Sequence, residues 1–174
     1  MIVRLTIWCV MLFGGITIGY QLDSILFKGL NLPLYFYILS FLIGSLLLSL
    51  VIKISKNTGR TLAKYGRQGE LKRMDTNVFV DQGIYKYMRH PMHLGLLFFP
   101  LSIAFISGSL SFIIIISPLE AFLILIMVKF IEEPEAIKKF GKDYLIYKSK
   151  VPGFCFSIKC LKKLFKVVSI KTIK

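Results

Sequence analysis

Acidic residues are scarce in this chain: nine Asp and Glu stand against 23 Lys and Arg in 174 residues, a net charge of +14. Such a surplus suits nucleic acid or a membrane surface. The basic residues lie at the ends of the apolar runs and between them, which favours the membrane surface and leaves nucleic acid without support. No G-x-G-x-x-G follows a strand-like run, and strand and helix patterns do not alternate, so a soluble Rossmann-type enzyme is excluded. Cysteine is almost lacking. Cys9 lies in an apolar run, Cys155 and Cys160 lie in the basic tail, and none belongs to a C-x-x-C or has a His nearby. No metal site is therefore expected. A structural disulfide is disfavoured in a cytosolic tail, where acylation of Cys155 or Cys160 is the other use for such thiols.

What the chain has in excess is apolar surface. It is 55% hydrophobic, with 15 Phe and a mean hydropathy of +0.69, which marks an all-α integral membrane protein of one compact domain over residues 1–174. Four spans are expected, at about 2–20, 34–52, 91–107 and 111–131. The first carries Arg4 near its start and Tyr20 at its end. A cleaved signal peptide competes with that reading, but no small-x-small site stands near Tyr20-Gln21-Leu22-Asp23, so a retained helix is expected. The second, Leu34 to Ile52, has 19 residues without a charge. The linker 53–90 holds nine Lys or Arg against Glu70, Asp75 and Asp81, and the chain from Lys129 holds twelve Lys against four acidic residues. The positive-inside rule assigns the linker and the tail 132–174 to the cytoplasm, together with both termini and the site they carry.

The third and fourth spans read as a hairpin with its tip at Ser107-Gly108-Ser109-Leu110-Ser111, the only polar break in the run. Pro100 and Pro118 are expected to kink the arms without ending them. At roughly 1.5 Å per residue the arms measure about 25 and 33 Å, against a bilayer core of about 30 Å. The hairpin therefore brings Gly83–Gly95, GIYKYMRHPMHLG, to the same membrane face as Glu132-Glu133-Pro134. Pro91 fits the first turn of a helix, so Arg89 and His90 stand at a helix entrance. Two adjacent carboxylates at the other end oppose the helix macrodipole if the helix stops there, a cost that suggests a function.

These segments carry a resemblance. VDQGIYKYMRHPMHLG, the apolar hairpin and EEPEAIKKFGKDYLIYKSKVPGF together resemble the isoprenylcysteine carboxyl methyltransferase and phospholipid N-methyltransferase superfamily of small membrane enzymes, over about Val78 to Phe154. The resemblance implies S-adenosylmethionine as cofactor, held by the last two helices and the cytosolic tail, and a lipid or lipidated acceptor reached from the bilayer. His93 stands where that pattern usually has Tyr.

The residue types suit such a ligand, which presents a carboxylate, an ammonium, a sulfonium and an adenine. Arg89 and the helix start at Pro91, with Gly95 one turn on, suit the carboxylate. Glu132 and Glu133 suit the ammonium and the sulfonium. Tyr85, Tyr144 and Tyr147 are candidates to pack the adenine. Arg89, His90 and Glu133 are the residues expected at the chemistry, with His90 or His93 as proton acceptor for an amine. Each also has a plainer reading: Arg89 as a lipid-phosphate anchor, the Glu pair as a helix end, Tyr144 and Tyr147 as tail packing, Gly141 as a helix breaker, and Asp81 as a cap for the turn carrying Tyr85. Glu120, about 18 Å along the helix from Glu132, is a functional candidate of its own or a protonated acid bonded to Ser117 or to a carbonyl near Pro118. Ile158 to Lys174 reads as an amphipathic helix in the headgroup layer or as a solvated basic end. Two other classes stay open, a sterol-type membrane reductase using NADPH and a non-enzymatic scaffold whose tail binds anionic lipid.

Overall fold

A computed structural model describes residues 2–68 and 76–165 of the chain. Helices α1 (Ile2–Leu26) and α2 (Leu34–Tyr65) are followed by a 3-10 turn at Gly83–Lys86. Then come α3 (Pro91–Leu97), α4 (Phe99–Ser107), α5 (Ser117–Met127), α6 (Glu133–Lys150) and α7 (Ile158–Phe165). Among the described residues there is no strand. Wider π-helical turns at Phe112–Ile116 and Val128–Glu132 lead into α5 and α6, so one helical run of 39 residues extends from Phe112 to Lys150. Among the described residues, three helices are long and apolar enough to cross a membrane, Cys9–Leu26, Leu34–Tyr65 and Phe112–Lys150, while Pro91–Ser107 is a shorter apolar helix.

Several helix ends differ from the sequence reading. The first helix runs on to Leu26, and the second continues thirteen residues past Ile52, to Tyr65, because no Pro interrupts it and Gly66 is the first residue out of the helix. Thr58 and Thr61 are buried in that extension and satisfy their hydroxyls locally, on the Ile54 and Asn57 carbonyls. Pro100 does more than kink its arm, since Phe98 separates α3 from α4 and Pro100 sits in the first turn of α4. The hairpin tip falls where expected: Gly108 closes α4 with φ +71°, a left-handed conformation open to glycine. At Glu132–Pro134 the helix does not end. The π turn at Val128–Glu132 widens the hydrogen-bond register just before Pro134, whose missing N–H and ring are then absorbed in the first turn of α6. The break comes later, at Gly141, with φ 57° and ψ −129° inside α6.

The described residues group into two compact units. One comprises Met1–Val51 and Leu96–Ile126. Its core is Ala104, Phe112 and Ile116, with Ile16, Leu22, Ile103 and Ile113 packed against it. Small residues let backbones approach, as between helices in lipid. A Cβ at Gly44 would stand 2.7 Å from the Ser102 carbonyl oxygen and 2.7 Å from the Ile106 nitrogen. The Ser40 hydroxyl bonds the Phe105 carbonyl (2.6 Å), and the Asp23 carboxylate accepts the Ser111 N–H (2.7 Å). Phe13, Leu34, Tyr35 and Phe122 are all more than half exposed, an apolar surface suited to lipid and not to water. Glu120 is buried here, with Oε1 against the position of Gly15 and Oε2 without a hydrogen-bond partner. The Ser117 hydroxyl donates to the Ile113 carbonyl, and the expected bond between it and Glu120 is not seen.

The other unit comprises Ile52–Gly95 and Met127–Lys174. Ile54, Val80, Ile84, Met88, Tyr147 and Leu164 are buried in it. Asn57 Nδ2 donates to the Leu164 carbonyl (3.1 Å), and Lys163 lies over the Tyr87 ring, so the last turn of α7 is docked, and the last nine residues of the expected tail helix, 166–174, lie outside the described residues. Asp81 does not cap the 3-10 turn; Gln82 holds that position with no side-chain hydrogen bond.

The disfavoured disulfide is present, Cys155–Cys160. Ser157 starts α7 by accepting the Cys160 N–H (3.4 Å), and this turn folds Cys160 back over Cys155, with 6.1 Å between their Cα atoms.

Close approach at Gly44 gives a direct test. Gly44→Ala should destabilise the detergent-solubilised protein by about 1–3 kcal/mol through overpacking against backbone that cannot swing aside, read as a lower thermal midpoint. Gly59→Ala, where a Cβ meets nothing within 4 Å, should not lower it.

Candidate active site

Pro91 opens α3, and the four residues before it lie outside any helix. The last two of them give their N–H groups to the segment that follows α6: Arg89 N–H donates to the Pro152 carbonyl (2.9 Å) and His90 N–H to the Gly153 carbonyl (3.0 Å). Two backbone bonds thus fasten the tail across the helix entrance. The side chains of the same residues turn to Glu133.

Glu133 collects three nitrogen groups. Arg89 Nε and Nη2 donate to Oε1 at 3.0 and 2.6 Å, His90 Nε2 lies 3.2 Å from the same oxygen, and Lys148 Nζ lies 2.6 Å from Oε2. Arg89 Nη1 donates to the Lys148 carbonyl (3.2 Å) and to the Val151 carbonyl. One N–H on Nε, two on Nη1 and one on Nη2 are thereby used, four of the guanidinium's five donors. Because α6 continues past it, Glu133 does not suffer an opposing helix C-terminus; its buried charge is offset by these cations. Burial lowers the His90 imidazole below its usual value, against the Glu133 carboxylate, which pulls it up; Arg89 and Lys148 push it further down.

The remaining expected residues divide. His93 Nε2 lies 3.9 Å from Glu132 Oε1, and the His90 and His93 ring centres are 5.7 Å apart. Pro91 and Gly95 are buried within α3. Tyr144 belongs to an aromatic group with Phe79 and Tyr147, at centroid distances of 6.2 Å to Phe79 and 6.0 Å to Tyr147. It is buried, it feels the charges of Glu133 and Arg89, and its hydroxyl has no hydrogen-bond partner. Tyr85 is a core residue instead: its side chain is buried, and its carbonyl accepts the Tyr147 hydroxyl. Burial raises the Tyr85 phenol well above its usual value, with the neighbouring Tyr147 adding to the rise. A cleft of about 680 Å³ shares Tyr147 and Val151 with this region and is also lined by Phe79, Asp81, Lys86 and Lys150.

Lys148 and the latch at Val151–Gly153 are functional candidates that sequence reasoning missed. The signal for the latch was the V-P-G following the Tyr-x-x-Tyr of α6, a chain bend one residue past the last helical turn; nothing in the sequence marks Lys148 among the other lysines.

Arg89→Ala should cost about 3 kcal/mol, the range for breaking one partner out of a buried pair, and should raise amide hydrogen exchange at positions 89 and 90, whose N–H groups make the two bonds to the tail. Arg89→Lys should not restore protection, since one ammonium cannot reach both the carboxylate and the tail carbonyls. Because His90 titrates lower folded than unfolded, the folded state binds fewer protons below about pH 6.5, so its contribution to stability is full above that value and is lost as pH falls. The thermal midpoint of wild type should accordingly fall more steeply than that of His90→Asn between pH 6.5 and 5.

Comparison with known proteins bears on these residues. The chain matches the phospholipid methyltransferase family over residues 35–143, from α2 through the Arg-His-Pro segment, the hairpin and the Glu pair, ending one residue before Tyr144. It has no match among curated proteins. The family match reaches further towards the N-terminus than the resemblance in the motifs, taking in α2, and implies methyl transfer on lipid substrates in a membrane. The chain belongs to the phospholipid methyltransferase family, within the superfamily that also holds the isoprenylcysteine carboxyl methyltransferases.

Proposed function

We propose that this protein transfers a methyl group from S-adenosylmethionine to a membrane lipid, with the donor held at the Glu133 cluster on the cytoplasmic side. The observation that carries the reading is the convergence of Arg89, His90 and Lys148 on one carboxylate beside a buried, unpartnered Tyr144 hydroxyl. Such a hydroxyl is costly unless something bonds it. The residues present fit the donor: a carboxylate for its cationic end, cations for its anionic end, an orphaned hydroxyl, and the aromatic faces of Phe79, Tyr144 and Tyr147.

When bound, S-adenosylmethionine supplies an electrophilic methyl group on a sulfonium. Glu133, with Glu132 beside it, would face the positive charge. Arg89 is a positioning residue on this reading, since it spends four donors on Glu133 and the tail. Methyl transfer is an in-line displacement whose charge spreads in the transition state, so alignment and exclusion of water supply most of what the site contributes. The buried cluster and the tail latched over the helix entrance serve both ends. The family match favours a phospholipid amine over an isoprenylcysteine carboxylate as acceptor. An amine sheds a proton, and His90, kept neutral by burial, or His93 is placed to take it. The positive charge of the linker and tail supports a cytoplasmic site, with four spans, α3–α4 as the short third one, and both termini inside.

Calorimetric titration with S-adenosylhomocysteine tests the reading. Wild type should bind it and should not bind NADPH. Glu133→Gln should weaken binding at least about tenfold, as loss of a charged hydrogen bond implies, and Tyr144→Phe about threefold to tenfold, as for a neutral one. Binding of NADPH alone would contradict the assignment.

A further inference from the structure

The Glu133 carboxylate is shared unequally. Its Oε1 receives Arg89 and His90, whose side chains are 12% and 9% exposed, and Arg89 is further caged by two carbonyls. Its Oε2 receives Lys148, whose side chain is 40% exposed. One oxygen is therefore locked inside the fold, while the other is covered by a group that reaches in from the surface. A surface lysine is a flexible point charge, and this one is the most exposed of the three groups that meet Glu133. It is the one contact of the cluster that a ligand can displace without dismantling the helix entrance.

Lys148 offers Glu133 a primary ammonium. An α-amino acid end, such as that of the donor proposed above, offers the same group. The buried Tyr144 hydroxyl makes no hydrogen bond and stands in the field of Glu133 and Arg89. We infer that Lys148 is a place-holder: it occupies Glu133 Oε2 in the ligand-free protein and leaves when a ligand ammonium arrives. This rests on the donor reading and adds a specificity-determining residue to it. The lysine keeps the buried carboxylate neutralised between turnovers, and it sets a threshold that only a ligand carrying an ammonium overcomes. Since apparent affinity is reduced by the fraction of sites that are free to bind, a lysine that covers Glu133 about four-fifths of the time lowers it about fivefold.

The test is calorimetric titration of the full-length protein in detergent with S-adenosylhomocysteine and with methylthioadenosine, which lacks the amino acid end. Lys148→Met should bind S-adenosylhomocysteine about fivefold more tightly than wild type. Lys148→Arg, whose fork grips a carboxylate at two points, should bind it more weakly. Methylthioadenosine should bind all three proteins alike. Equal or weaker binding of S-adenosylhomocysteine by Lys148→Met overturns the place-holder, as does a parallel change with methylthioadenosine. Binding of S-adenosylhomocysteine by none of the three overturns the donor reading itself, and the place-holder with it.

Discussion

One buried carboxylate organises the unit formed by Ile52–Gly95 and Met127–Lys174. Glu133 lies inside the continuous helical run Phe112–Lys150, and it is kept ionised by Arg89, His90 and Lys148. Those three residues come from two places, the entrance of α3 and the last turn of α6. The carboxylate is therefore a joint between segments far apart in sequence, and the same Arg89 that satisfies it also holds the Lys148 and Val151 carbonyls. Removing that charge would leave a cluster of cations facing one another where the tail folds over the entrance.

The two compact units differ in how they earn their stability. In Met1–Val51 with Leu96–Ile126, glycines and serines bring helices together and large apolar side chains face outward, the arrangement expected where lipid is the solvent. In Ile52–Gly95 with Met127–Lys174, polar side chains are turned inward and answered one by one: Asn57 by Leu164, Tyr147 by Tyr85, Glu133 by its cations. The exceptions are informative. Tyr144 Oη lacks a partner in the second unit, and Glu120 Oε2 and Ser111 Oγ lack one in the first.

Much of this was legible in the sequence because it follows from period and length. Two apolar arms joined at Ser107–Ser111 must return near their start, so Arg89 and His90 had to approach the Glu pair. The membrane class followed from hydropathy, and the family from two motifs at a fixed separation. The helix through Pro134 was not legible, because a π turn has no residue signature and proline after two acids reads as a stop. The extension of α2 was missed for a related reason: charge marks where lipid contact ends, and a helix is free to continue in water. The Cys155–Cys160 bridge depends on a bend at Ser157 that only the folded chain reveals. Arg89 was expected to await a ligand carboxylate, whereas the geometry gives most of its donors to the protein itself.

The claim at the centre is that the Glu133 carboxylate is where the methyl donor is held. The most direct measurement is transfer of isotopically labelled methyl from S-adenosylmethionine into lipid, in vesicles containing the purified protein and an amine-bearing phospholipid. The account predicts label in the lipid extract with wild type and loss of nearly all of it with a folded Glu133→Gln protein. Equal labelling by the two proteins would contradict it.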